Sequence, residues 1–262
     1  MNRFENITKP LRWSMALLLV AFVAGCGGGN GTPGAGSGAG AVCTGASCVN
    51  LKTAGNYAIL AEAAITNVPT SKVIGNVGVF PASAAIGLTC PEVIGVIYSP
   101  DATGPSCKVT DGTGLNIAVN DKLDVYNYAF GQTATSAATT NIGAGTLDAT
   151  TVPSPLAPGV YVWGSAVTIP TDLTLAGTAT GVWIFHVGGT LDLGANVILS
   201  GALPQNIFWV ASDIVTIAPG KHMEGVVLSA SDIVLQTGAT ANGRLLSKTQ
   251  VTLDHSTVTQ PL

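Results

Sequence analysis

Charge is scarce in this chain. Only 9% of its 262 residues are Asp, Glu, Lys or Arg, and no basic run follows Arg12. A polyanion is held by clustered cations, so the composition argues against nucleic acid as a partner. Aromatic residues are also few, at 6%, although 47% of the chain is hydrophobic. A core of small β-branched side chains suits a narrow coil better than a broad globule. Histidine occurs only as His186, His222 and His255, in three separate segments. No phosphate loop, nucleophile elbow or Cys–His pairing is legible, and no cofactor or metal is expected. His186, at the end of the strand-like IFH, reads as a structural corner residue.

What the chain has in quantity is repetition. Five segments start at Val160, Val182, Ile207, Val226 and Arg244. Each opens on an apolar strand, turns at small polar residues and enters a second strand of the V-T-I or V-T-L type. Repeats near 20 residues with short β runs are the signature of a coiled β architecture, in which one unit cannot bury its own apolar strip and a stack can. The stretch from Tyr57 to Gly75 has the same shape, and residues 76–88 continue it. Residues 89–112 break the pattern and are expected to form a cap. One helix is expected over 115–130, where Leu115, Val119, Leu123, Tyr126 and Phe130 recur at helical spacing. Thr113 and Gly131 are its candidate caps. The expected class is mainly β: a β-solenoid with one long α-helix alongside.

Residues 1–25 carry Arg3, Lys9 and Arg12 before a short apolar stretch that ends in Val23-Ala24-Gly25-Cys26. That ending resembles the lipobox of bacterial lipoproteins, in which the Cys is lipidated. The resemblance implies export, a membrane anchor at Cys26 and, with Gly27 rather than Asp after it, the outer membrane. Residues 26–50 read as a Gly-rich tether, and residues 51–262 as the folded domain. A flexible stretch of about 15 residues reaches roughly 20 Å. Export places Cys43, Cys48, Cys90 and Cys107 in an oxidising compartment, where three pairings are open. Cys43–Cys48 and Cys90–Cys107 are favoured, because each pair brackets a loop rich in Gly, Pro and Ser. Zinc is the alternative, but no His lies near these cysteines.

Two patterns are candidates for function. The first is a repeated Ser-Asp, Ser212-Asp213 and Ser231-Asp232. At equal positions of adjacent coils its carboxylates would stack at about the strand spacing of 5 Å, as in β-helical polysaccharide enzymes. The plainer reading is that each Asp bonds its own backbone at a corner. The second pattern is a rank of outward Thr in the second strands: Thr168, Thr190, Thr216 and Thr252, with Thr66 matching in the first N-terminal unit. Alternation along a strand points them all one way, although Thr is in any case a common outward strand residue. Val234 interrupts the rank. Asp192, Gln236 and Asp254 are expected in the next outward column, and Lys221, Met223 and Glu224 on the following face.

The runs YAILAEAAITN from Tyr57, IGNVGVFP from Ile74, DKLDVYNYA from Asp121 and LAPGVYVW from Leu156 resemble the bacterial and fungal ice-binding protein family. So do VWIFHVGGTLDL from Val182, NIFWVASD from Asn206 and TGATANGRLLSKTQVTLD from Thr237. The resemblance covers about residues 51–261. It implies a discontinuous, right-handed β-solenoid of triangular section (a triangular β-helix) with one packed α-helix, which adsorbs to ice through a flat face and is not an enzyme. Some members carry a T-A/G-x-T/N motif near that face. Here Thr237-Gly238-Ala239-Thr240 and Thr53-Ala54-Gly55-Asn56 match it. The expected partners are an ice surface and, through the lipid, a membrane, with the protein a monomer. A surface adhesin for glycans or cells and a polysaccharide-active enzyme using Asp213 and Asp232 are the competing expectations.

Overall fold

The computed structural model describes residues 49–82 and 86–261. The expected signal segment, most of the tether, and Cys26, Cys43 and Cys48 lie outside the described residues. In chain order the strands are β1 (Tyr57–Ala61), β2 (Ala64–Val68), β3 (Lys72–Ile74), β4 (Asn76–Val79), β5 (Val93–Ile94), β6 (Ile97–Ser99) and β7 (Val109–Thr110). Helix α1 (Gly112–Phe130) follows, then β8 (Gly159–Trp163), β9 (Val167–Ile169), β10 (Leu173–Ala176), β11 (Trp183–Val187), β12 (Leu191–Leu193) and β13 (Val197–Ser200). The last are β14 (Ile207–Ala211), β15 (Val215–Ile217), β16 (His222–Ser229), β17 (Ile233–Leu235), β18 (Thr240–Ser247), β19 (Gln250–Asp254) and β20 (Thr257–Thr259).

Each turn of the chain visits three faces of a β-solenoid. The first face is the parallel series β8-β11-β14-β16-β18-β1-β4-β6-β7, and the second is β9-β12-β15-β17-β19-β2. The third holds the pair β10-β13, the leading halves of β16 and β18, then β20, β3 and β5. The strand sequences follow from what covers each face. First-face strands such as YAILA and IFWVA are buried along their whole length, because one side faces the solenoid interior and the other faces α1. A strand covered on both sides reads as a continuous apolar run. Second-face strands such as VTI and LDL alternate buried and exposed, because only one side is covered.

Two apolar clusters result. One fills the solenoid and includes a ladder of near-parallel rings, with Tyr161 and Phe185 5.3 Å apart and Phe185 and Trp209 4.0 Å apart. The other lies between α1 and the first sheet, where Leu115, Ala118, Val125 and Ala129 meet Ile184, Phe208, Val226, Leu228 and Leu246. The helix starts earlier than periodicity placed it. Asp111, not Thr113, is its N-cap, with Oδ1 accepting from Gly114 N at 2.8 Å. Of the expected stripe, Leu115 is buried and Val119, Tyr126 and Phe130 pack half-buried against the sheet, but Leu123 is 43% exposed; the centre of the buried face runs through Ala118, Lys122, Val125 and Ala129. Two alanines on that stripe let the helix approach the sheet closely. Lys122 is tolerated there because Glu62 and the Ser247 carbonyl receive its ammonium.

The stack is discontinuous in sequence. β1, β2 and β3 of the N-terminal coil pair with β18, β19 and β20 of the C-terminal coil. Helix α1 separates these N-terminal coils from residues 135–156, which lie against β8–β10 at the other end through the bridges Thr140↔Val162, Thr146↔Thr168 and Leu156↔Leu175. Residues 89–112 leave the coil only in part. β5 still pairs with β3, β6 with β4 and β7 with β6, and the excursion is confined to the loop between β6 and β7. Cys90 and Cys107 are disulfide-bonded across it, with Cα atoms 5.9 Å apart.

Candidate functional site

The outer side of the second sheet has no element of the described residues over it. Its register runs without a bulge across six strands. The inward residues are the buried pairs Val167/Ile169, Leu191/Leu193, Val215/Ile217, Ile233/Leu235 and Val251/Leu253. Between them the outward column reads Thr168, Asp192, Thr216, Val234, Thr252 and Thr66. Neighbours in a parallel ladder stand about 4.8 Å apart. At the seam between the C-terminal and N-terminal coils, Thr66 Oγ1 donates to Thr252 Oγ1 at 2.9 Å.

Four of the five expected Thr are therefore brought together: Thr66, Thr168, Thr216 and Thr252. Thr190 is not among them. Leu191 pairs with Val167 and Val215, so Thr190 sits one step earlier on the outward side and Asp192 takes the place in the column. The inward pair Leu191/Leu193 carries that information; the short motif of Thr followed by Leu misleads. Sequence reasoning also missed Thr146, which bridges to Thr168 and extends the column by one coil. Gln236 and Asp254 do fall one step beyond the column. Met223, expected to roughen the third face, is fully buried.

Thr237-Gly238-Ala239-Thr240 forms the corner between the second and third faces. Gly238 takes φ +71°, which favours glycine, and its N–H donates to Asp254 O at 2.9 Å. Thr237 Oγ1 donates to the Asp254 carboxylate, and His255 Nδ1 lies 2.6 Å from its other oxygen. Those two contacts hold the Asp254 carboxyl below its ordinary range, the Thr237 hydroxyl contributing most. Thr240 points onto the third face, 2.7 Å from His222 Nδ1. The second copy of the motif does different work. Thr53-Ala54-Gly55-Asn56 lies in a 3-10 turn, where Thr53 bonds Asp121 of α1 at 2.5 Å and Ala54 is buried.

The Ser-Asp repeat does not stack. Val215 pairs with Ile233, so Asp232 lies opposite Ile214 and Asp213 opposite Ser231. The similar sequences are offset by one residue, which changes the side to which each points. Asp213 caps its own corner, accepting from Ile214 N at 2.8 Å. Asp232 accepts from Thr249 Oγ1, Gln250 N and Gln250 Nε2. The third face carries a polar cluster instead: His222 Nε2 is 3.0 Å from Glu224 Oε1, and Asn242 Nδ2 donates to Glu224 Oε2 at 2.9 Å.

Residues 59–259 match the family model described as Ice-binding-like. An ice-binding protein of Flavobacterium frigoris (strain PS1) is 44% identical over 217 residues, which is 81% of this chain and 76% of the relative. One from a Colwellia species is 40% identical over 83% of this chain and 85% of its own length. Among solved structures, an antifreeze-active ice-binding protein from an Arctic yeast superposes with a TM-score of 0.74 at 38% identity, covering 82% of this chain and 95% of that one.

Proposed function

This chain belongs to the ice-binding family, and from that premise we propose that it adsorbs to ice through its second sheet and so restrains ice growth or recrystallisation. The observation that carries the reading is the register of that sheet. Thr146, Thr168, Thr216, Thr252 and Thr66 stand in one outward column, on a regular sheet that α1 does not cover. Each Thr offers a methyl that favours a constrained water cage and a hydroxyl that anchors a water. At the strand spacing of about 4.8 Å those waters lie close to the repeat of an ice surface. The scaffold is already ordered, so many weak contacts form with little further loss of entropy.

Thr216→Tyr tests this directly. The position points outward at the middle of the column, so the melting temperature should stay within about 2 °C of wild type, as for a surface substitution. Thermal hysteresis and recrystallisation inhibition should fall severely. Asn120→Tyr, on the exposed side of α1, should leave both intact. Equal loss in the two variants would assign the wrong face.

The protein acts by adsorption rather than catalysis. Its relatives are named for ice binding, and the carboxylates of Asp213 and Asp232 are engaged by corner backbone, Thr249 and Gln250. We further propose an exported monomer anchored in the outer membrane through Cys26, a reading supported by the sequence Val23-Ala24-Gly25-Cys26. Mass spectrometry of the native N-terminus should find a diacylglyceryl group on Cys26; a mature chain starting elsewhere would reject the anchor.

A further inference from the structure

The second sheet carries three acids on its outward lines, and they are not equivalent. Asp232 is held at the corner by Thr249 and Gln250, and Asp254 by Thr237 and His255. Both carboxylates are turned toward partners at the edges of the face. Asp192 stands in the column itself, between Thr168 and Thr216. It is exposed, and its one side-chain hydrogen bond among the described residues is a 3.5 Å contact from Thr190 Oγ1. No Lys or Arg occurs on the six strands of this sheet. The charge is therefore left to water.

We infer that Asp192 splits the column into two patches and that the longer one, Thr216, Val234, Thr252 and Thr66, is where ice docks. The inference rests on the ice-adsorption reading above. A carboxylate keeps a tightly bound, disordered-relative-to-ice hydration shell, and stripping or freezing that shell is costly without a cationic partner. Ice offers no such partner. The shorter patch, Thr146 and Thr168, is cut off on the far side of the charge. The longer patch has no charged residue in its column, and its flanks include exposed Ile214 and Val68 at 36% and 47%. It is also tied across the seam by the hydroxyl bond between Thr66 and Thr252. Asp192 is thus a residue that limits how much of the face can be used.

The experiment compares the full chain with Asp192→Asn, Asp192→Thr, Thr168→Tyr and Thr252→Tyr by thermal hysteresis at matched concentration, with melting curves as the check on folding. Both Asp192 variants should exceed wild type, since each removes the uncompensated charge, and Asp192→Thr should do so by roughly two- to fivefold. Thr252→Tyr should remove more of the hysteresis than Thr168→Tyr. An active wild type with no gain in either Asp192 variant overturns this inference alone, as does equal loss from the two Tyr variants. A gain from Asp192→Thr without one from Asp192→Asn also overturns it, because a methyl rather than a charge would then be the cause. A wild type with no hysteresis overturns the ice reading and this inference together.

Discussion

Carboxylates in this chain are few, and those with shifted acidity are tied down by hydrogen bonds. Burial pushes the Glu92 carboxyl up, but Thr89 N and Oγ1, both at 2.7 Å, and Asn67 Nδ2 at 2.9 Å outweigh it and hold it below its ordinary range. Burial likewise opposes, and the Thr53 hydroxyl and N–H with the Lys52 ammonium overcome, in the lowering of Asp121. Asp148 is lowered mainly by the Thr150 hydroxyl, and Asp254 mainly by that of Thr237. A carboxyl whose folded pKa is depressed contributes stability that is present above its unfolded pKa and lost as pH falls through the folded value. The melting temperature should therefore begin a shallow decline below about pH 6.5, where burial keeps His186 from charging in the fold as readily as in the unfolded chain, and fall more steeply below about pH 4, where the carboxyls protonate. Calorimetry across that range decides it. A melting temperature unchanged to about pH 2 would mean that these bonds are equally available in the unfolded chain.

At the scale of elements, much of the architecture is legible in the sequence, and the exceptions have physical causes. The strands of the second sheet declare themselves because one side is covered, so apolar and polar residues alternate. First-sheet strands read as continuous apolar runs because α1 closes their outer side. The helix is legible from its spacing, and its buried face in part: Leu115, Val119, Tyr126 and Phe130 do pack toward the sheet, whereas Leu123 does not. Periodicity favours large side chains, whereas contact with the sheet selects Ala118 and Ala129 and admits Lys122 through Glu62. Register was the weakest reading. The column between inward pairs contains Asp192, yet Thr190-Leu191 mimics the Thr-Ile step of β9 and β15. The repeated Ser-Asp likewise suggested equivalence that a one-residue offset between β15 and β17 removes. The motif copy at Thr53 illustrates that four residues do not fix an environment: the same pattern makes a corner at Thr237 and a helix fastening at Thr53.

The whole molecule depends on a seam. Coils distant in sequence meet where β1, β2 and β3 stack on β18, β19 and β20, and the Thr66–Thr252 pair of the proposed ice face spans it, 186 residues apart. Contacts of such separation form only after a large loss of chain entropy. Polar fastenings collect there. Arg244, 2% exposed, donates from Nε to Gly55 O at 2.8 Å, and burial lowers its pKa to about 10. Lys122 reaches from α1 to Glu62 beside β1 at 2.9 Å and to the Ser247 carbonyl of β18, so one ammonium touches both sides of the seam. The pair is unequal: the Lys122 side chain is 5% exposed and that of Glu62 25%. Removing one partner of a buried pair is costly chiefly because the other is left charged and dry. Glu62→Ala leaves the buried ammonium with only a carbonyl and should cost about 3 kcal/mol or more. Lys122→Met leaves a carboxylate that water can still reach and replaces the stem with a similar apolar one, so it should cost less than about 1.5 kcal/mol. Urea denaturation of the two variants measures the difference, and a larger loss for Lys122→Met would mean that the ammonium, not the stem, holds the seam. Hysteresis should follow the same order, because misalignment of β2 on β19 separates Thr66 from Thr252 and breaks the column at its longer patch.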